Sequence, residues 1–464
     1  MVVVKNYPDL FKKFKLLIFL IIILGQPPLI FPQTSPRQTE INFRLENGLK
    51  VFLLDRPNSP LVNLVLAVGY GSRDEQSEEY GLAHFLEHLI LFRGKRSRPV
   101  EEIHQDLKRT GGWINGHTSL DATIFELSMP INGFEEGLRN FIDLIFNLNL
   151  EEEDIAKEKE IILEEMNLQV SEPFSLAVSL AYEQLFPSHA YGHPVIGRPD
   201  TIKELSLEQV IKTHRTYYSP ANCALAAVGD LKTIRLEDLI RKYFGPLRGE
   251  KISRPSINNP PSLGKIGRAE KELDEKQSHL LFACRAPDIS SVDQYAFDLL
   301  TAILGRGINP LLIMALGSRR ISVANVLVSY NSHRYSGVML IYLILEPKNV
   351  TLAEREVNRW LRQIHQENFS PDDVLGEAKD YIFDFLNAAK KQIKLEAEKS
   401  LEDGLKLASS VALYLLLLED MKLPPYIDTI DKMSSTDLRR VASKYLSRPE
   451  MAIVVINPIK TKNK

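Results

Sequence analysis

The chain has 464 residues, 44% of them hydrophobic and 25% charged. That composition is globular, and the length exceeds one ordinary core, so two or more domains are expected. Its 57 basic and 60 acidic residues nearly cancel, which removes the electrostatic case for nucleic acid, and two cysteines, Cys223 and Cys284, are too few for a disulfide framework.

In chain order, Lys5, Lys12, Lys13 and Lys15 precede an apolar run from Leu16 to Leu24, followed by Gln26, Pro27 and Pro28. A basic stretch before a short apolar one is the pattern of a signal peptide, and the run is short for a permanent membrane span. No small-x-small cleavage site stands between Gly25 and Arg37, so residues 1–36 are read as either a signal peptide or a retained anchor. Both imply export, to the periplasm or beyond. Next, residues 41–45 and 50–54 flank Glu46-Asn47-Gly48, a strong hairpin signal. A strand is expected over 61–68, a helix through residues 84–88 closed by Gly94, a helix over 100–108, strands from Trp113 to Met129, and helices over 134–146 and 151–170.

Prolines gather between residues 246 and 267 with little apolar periodicity, which reads as a linker between domains at 37–245 and 268–464. Each domain closes alike. Tyr217-Tyr218-Ser219-Pro220 precedes the apolar run 223–228, and Lys444-Tyr445-Leu446-Ser447-Arg448-Pro449 precedes 451–456. A helix, a proline turn and a buried strand, twice, suggest a tandem of homologous domains. The run 411–418 reads as the face of a core helix.

Residues 84–88 are His-Phe-Leu-Glu-His. On a helix the two histidines share one face, so both imidazoles reach one metal ion, and Glu87 stands beside them to accept a proton. This is the inverted zinc-protease signature. A catalytic zinc site takes three protein ligands, and the acidic stretch 151–170 offers Glu158, Glu160, Glu164 and Glu165. Glu158 and Glu165, seven apart between Ile161, Ile162 and Met166, share an inward face, and an inward carboxylate needs a partner.

With these residues the chain resembles the pitrilysin or insulinase (M16) family of zinc peptidases, especially the two-domain members of mitochondrial-processing-peptidase type. The resemblance rests on residues 81–88 (Gly-Leu-Ala-His-Phe-Leu-Glu-His), Phe92-Arg93-Gly94, residues 111–119 with Asp121 and Thr123, residues 158–165, Tyr218-Ser219-Pro220-Ala221-Asn222 and Val228-Gly229-Asp230. It implies an α+β fold of two homologous domains, each an antiparallel-rich sheet with helices packed on it. It also implies one Zn2+ per chain, held by His84, His88 and Glu165, with 76 residues between the last two. Glu87 would be the general base, Glu158 the supporting carboxylate of the catalytic machinery, and Asn115 would lie where substrate binds as an added strand. The expected substrate is a short or unfolded polypeptide. In this register the Arg and Tyr that active members carry in their second domain fall on Gly317 and Ala324, neither of which can donate a side-chain hydrogen bond, with Arg319, Arg320 and Tyr330 as neighbouring substitutes. The expectation is therefore a metal-bearing subunit whose homologous partner supplies the pair. The alternative is a non-catalytic structural, assembly or peptide-binding subunit of the same fold.

Overall fold

The computed structural model describes residues 39–459 apart from 96–97, 251, 253, 255, 308–309, 367–380, 419–420 and 448–449. The signal or anchor segment at 1–36 lies outside the described residues. Among those described, no helix is long and apolar enough to cross a membrane.

Two sheets dominate. The first has β1 (Thr39–Arg44), β2 (Lys50–Asp55), β3 (Leu61–Val68), β4 (Trp113–Thr118), β5 (Thr123–Pro130) and β6 (Cys223–Gly229), in the order β1-β2-β6-β3-β5-β4. The second has β7 (Gly267–Leu273), β8 (Ser278–Ala286), β9 (Val323–Asn331), β10 (Gly337–Leu345) and β11 (Met451–Pro458), in the order β7-β11-β8-β10-β9. Without β1 the two orders superimpose strand for strand. Each has one parallel pair, β2 with β6 and β7 with β11, and is otherwise antiparallel. The tandem expected from the two closing phrases is thus present in the topology, and both expected hairpin strands fall in place around Gly48 at φ +91°.

The strands β6, β8 and β10 are buried along nearly their whole length, so both faces of each sheet need a cover. On the first sheet, Leu64, Leu66, Phe125 and Leu127 pack against α1 (Leu82–Phe92) and the helices around it. Val65, Ala67, Ile124, Ala224 and Ala226 face the other way.

The helices that close the remaining faces are exchanged. α2 (Glu152–Ser171) is followed by α3 (Pro173–Leu185), which leaves its own half and lays Phe174, Ala177, Ala181 and Leu185 against Leu281, Ala283, Leu340 and Val454 of the second sheet. In the second half, α4 (Asp293–Gly305) packs on its own sheet. Further along, α5 (Tyr381–Glu402) is followed by α6 (Gly404–Leu418), which packs against β3 and β6 of the first sheet. The run 411–418 is indeed a core helix, but of the other half. Val411, Leu413, Leu415 and Leu417 are buried, each stabilising the assembly by roughly 1.5–3 kcal/mol relative to exposure.

Polar bonds fasten the same junction. Lys50 Nζ donates to Leu415 O at 2.6 Å, and buried Asp121 accepts from Tyr191 Oη at 2.7 Å and from the Arg334 amide at 3.0 Å. Cys223 and Cys284 are buried thiols on different sheets.

Candidate active site

α1 starts at Gly81, whose φ of +98° suits glycine alone without strain; a Cβ there would meet Ile196 O at 2.5 Å. Glu75 caps the helix, accepting from the amides of Gly81 (2.9 Å) and Ala83 (2.7 Å), where the positive end of the helix favours a carboxylate. Burial pushes its pKa above the usual carboxylate range, against the hydrogen bond from His193 at 3.1 Å and those two amides.

One turn of α1 brings the His84 and His88 rings to 4.6 Å between centroids. α2 crosses beside them and carries Glu165 Oε2 to 3.6 Å from His88 Nε2. One ligand atom from each of His84, His88 and Glu165 lies within 4.8 Å of the others, and no other trio of His, Cys, Asp or Glu converges so among the described residues. Two ligands of a tetrahedral zinc stand about 3.4 Å apart, so the donor set and its spacing fit such an ion.

Glu158, two turns before Glu165 on the same face, is buried. Its Oε1 pairs with His88 Nδ1 at 2.7 Å and its Oε2 accepts from Arg93 Nε at 2.5 Å. With Nδ1 so engaged, Nε2 is the nitrogen that His88 turns toward Glu165. Burial works to raise the Glu158 pKa, but the bonds and charges of His88 and Arg93 outweigh it and hold the carboxyl below its usual range.

Glu87 takes a different direction from α1. Its Oε2 accepts from Thr118 Oγ1 at 2.7 Å. Gly116, two residues earlier on the same side of β4, is what lets helix and strand meet, since a Cβ there would stand 2.9 Å from Leu91 Cδ1 and 3.2 Å from Glu87 Cγ. β4 is the edge strand of its sheet. Its free backbone groups therefore lie alongside Glu87, ready to pair with another strand. Asn115 sits on β4 directly across from Glu126, on the face opposite Gly116 and Thr118. His117 shares that face, and burial pushes its pKa down to about 4, so its ring is neutral at pH 7.

The structure thus brings together His84, His88 and Glu165, with Glu158 bonded to His88, turns Glu87, the residue before His88 on α1, to Thr118 of β4, and sets Asn115 on the same edge strand. The bonds of Thr118, Arg93 and Glu75 were not foreseen. Only the parity of Thr118 with Gly116 along a strand hinted that both face α1.

In the second half, Gly317 lies in the last turn of the helix Leu311–Ser318, where an added Cβ would meet nothing within 4 Å, and Ala324 is exposed on β9, the edge strand equivalent to β4. Tyr330 is not available as a substitute. It is buried, and its Oη donates to Pro287 O at 2.6 Å. Arg319 Nε lies 3.8 Å from Glu356, and Arg320 is exposed at φ +57°.

The insulinase (peptidase family M16) model matches residues 50–198, and the peptidase M16 inactive-domain model matches residues 204–380. The chain belongs to peptidase family M16. Among curated relatives, it is 26% identical to an uncharacterized zinc protease of Rickettsia bellii over 365 residues, 77% of this chain and 85% of that one. It is 24% identical to the zinc protease PqqE of Helicobacter pylori over 421 residues, 89% and 92% of the two chains. Among solved structures, a protease from Helicobacter pylori superimposes with a TM-score of 0.79 at 23% identity, covering 91% of this chain and all of that one. A putative M16-like peptidase from Alicyclobacillus acidocaldarius gives 0.77 at 18%, covering 92% and 100%. The M16 fold of two sheets with helices is therefore established for this chain. The separate model for the second half accords with a metal trio confined to the first.

Proposed function

We propose that this M16 protein is a zinc metalloendopeptidase acting on short or unfolded polypeptides, and that it is the metal-bearing subunit of a heterodimer. The observation that carries the reading is the convergence of His84, His88 and Glu165, with Glu87 of the same helix held against the edge strand β4. A zinc ion held by the trio would supply Lewis-acid polarisation of a water and of a peptide carbonyl. The β4 edge binds the substrate backbone as an added strand. Glu87 takes the proton of the attacking water on its carboxylate and passes it to the leaving amine nitrogen, while the Thr118 hydroxyl keeps that carboxylate in place. Glu158 acts through His88, fixing the ring by Nδ1, and is a positioning residue. The partner is inferred from Gly317 and Ala324 and from the burial of Tyr330. The basic, apolar N-terminal segment supports export.

The test is zinc binding and casein cleavage by the wild-type chain and by Glu87→Gln. One equivalent of zinc should bind to both. The variant should cleave about 10²–10⁴-fold more slowly, and wild-type cleavage should be slow until a homologous chain bearing the Arg and Tyr is added. Equal cleavage by the variant would overturn the peptidase reading in favour of a structural or peptide-binding subunit. Full activity of the isolated chain would overturn the partner.

A further inference from the structure

Trp113 has no part in the mechanism above. It opens β4 and is 42% exposed, the only exposed aromatic side chain among the described residues. The residues before it are Gly111 and Gly112, so that segment offers no side chain to shield the ring. An exposed tryptophan leaves a large apolar surface in water that a partner side chain can cover.

Strand parity shows what lies beside it. Ile114 packs with the core around α1, so Trp113 is on the other face of the sheet, directly across from Ser128 of β5. Ser128 Oγ donates in turn to Asn63 Oδ1 of β3 at 2.9 Å. In the next row the same parity sets Pro130 and Leu61, paired with one another, on this face, and Leu61 is as exposed as Trp113. The helix that covers the rest of the face stops short of them. α6 starts over Asn63, where a Cβ on Gly404 would meet Nδ2 at 2.7 Å, and runs inward to Leu415 at Lys50. Trp113, Pro130 and Leu61 therefore make an uncovered apolar step at the end of the sheet. Gly111 borders it, since a Cβ there would stand 3.4 Å from Pro130 Cγ.

The step continues the edge at which substrate is bound in the peptidase reading. Glu87 marks the place of cleavage there, being bonded to Thr118 and packed on Gly116. Trp113 lies about four residues, or about 14 Å, farther along the same edge. A strand added to β4 sends alternate side chains to the Trp113 face, and the one opposite Trp113 has its Cβ about 5 Å away. A small side chain there leaves the indole wet, whereas an aromatic or long aliphatic one covers it and reaches toward Pro130. We propose that Trp113 is a specificity-determining residue that holds an aromatic or large aliphatic side chain of the substrate strand, about four residues from the bond that is cut. The proposal rests on the peptidase reading and adds to it an apolar anchor remote from the metal.

Two dodecapeptide pools test it, both degenerate over small neutral residues and differing only in a fixed central phenylalanine or alanine. The zinc-loaded Glu87→Gln chain should bind the phenylalanine pool about tenfold more tightly, as burial of one aromatic side chain warrants. Adding Trp113→Ala should bring the ratio to about one, and adding Trp113→Phe should keep most of it. The chain has two tryptophans, and Trp360 is buried with its Nε1 bonded to Glu356 at 3.0 Å. A blue shift of tryptophan emission with the phenylalanine pool therefore reports Trp113, and it should vanish in both Trp113 variants. Thermal melting and zinc content check each fold, with Trp113→Thr replacing an alanine variant that fails. Equal binding of the two pools, a preference that survives Trp113→Ala, or a blue shift with rising protein concentration and no peptide, which would give Trp113 to a second copy of the chain, would each overturn the subsite. A phenylalanine preference in a chain whose cleavage is indifferent to Glu87→Gln would overturn the peptidase reading and leave the anchor standing. Cleavage that needs Glu87 but falls without regard to the phenylalanine, mapped by mass spectrometry, would do the reverse.

Discussion

Replacing Glu158 by glutamine separates the role of holding His88 from that of holding the metal. The Glu158 side chain is 1% exposed and makes two charge-assisted bonds, to His88 Nδ1 at 2.7 Å and from Arg93 Nε at 2.5 Å. Glutamine fills the same space. Its carbonyl oxygen can still accept from one neighbour, but its NH2 must then face the other donor, so one bond is lost and a repulsion replaces it. A neutral amide also removes the negative charge held against the His88 ring. Partners in this position are worth 10–100-fold in metal affinity, about 1.4–2.7 kcal/mol. The zinc Kd of Glu158→Gln should rise by that factor in competition with a chromophoric chelator at pH 7.5. The stabilisation of the fold by excess zinc should shrink by the same free energy, because binding to the native state is linked to its stability. Glu158→Gln with native circular dichroism and a zinc Kd within threefold of wild type would refute the argument that this carboxyl orients the ligand.

Two further outcomes are expected. Leu415→Ala, at a fully buried position of α6 against the first sheet, should cost about 2–5 kcal/mol. Calorimetry should show both halves destabilised in one transition; a second transition left at the wild-type temperature would refute the shared core. Asp298→Asn tests a buried acid on α4. Burial raises the Asp298 pKa to about 7, Tyr426 Oη donating at 2.8 Å and Arg306 acting against it and Glu396 with it. The folded value lies above the unfolded one, near 3.8, so the folded state favours the neutral acid and stability falls as pH rises from about 4 to 7. The variant has nothing to ionise and should gain on wild type in melting temperature between pH 5 and 8. A constant difference over that range would contradict the sign.

The hairpin at 39–55, the strand at 61–68 and the helix through His84 and His88 were legible because their signals are local, a period of two or of 3.6 with a turn residue at the end. Glu158 and Glu165 were legible for the same reason, as one face of one helix. The exchange of α3 and α6 was not. The apolar runs of β6, β8 and β10 say that both faces need a cover, but nothing in a stretch such as 411–418 says whose sheet it covers. The proline-rich segment 246–267 looked like a tether, and composition could not show that Arg254 fastens it, donating to Asn222 Oδ1 at 2.6 Å and lying over the Tyr217 ring. β7 takes up its last residue, Gly267. Thr118 was hidden because its bond to Glu87 joins residues 31 apart in sequence, a distance at which only the packed strand and helix define neighbours.

The crossing of α3 and α6 bears on how such a molecule arises from one half. A single half, standing alone, would leave one face of its sheet bare and one apolar helix without a seat. Two identical copies trading that helix would satisfy both needs about a twofold axis, as swapped dimers do. The present chain has the form of such a pair with its subunits joined end to end, its metal trio lying in the first copy. A cut in the connection between residues 245 and 266 should therefore leave the two pieces clasped to one another.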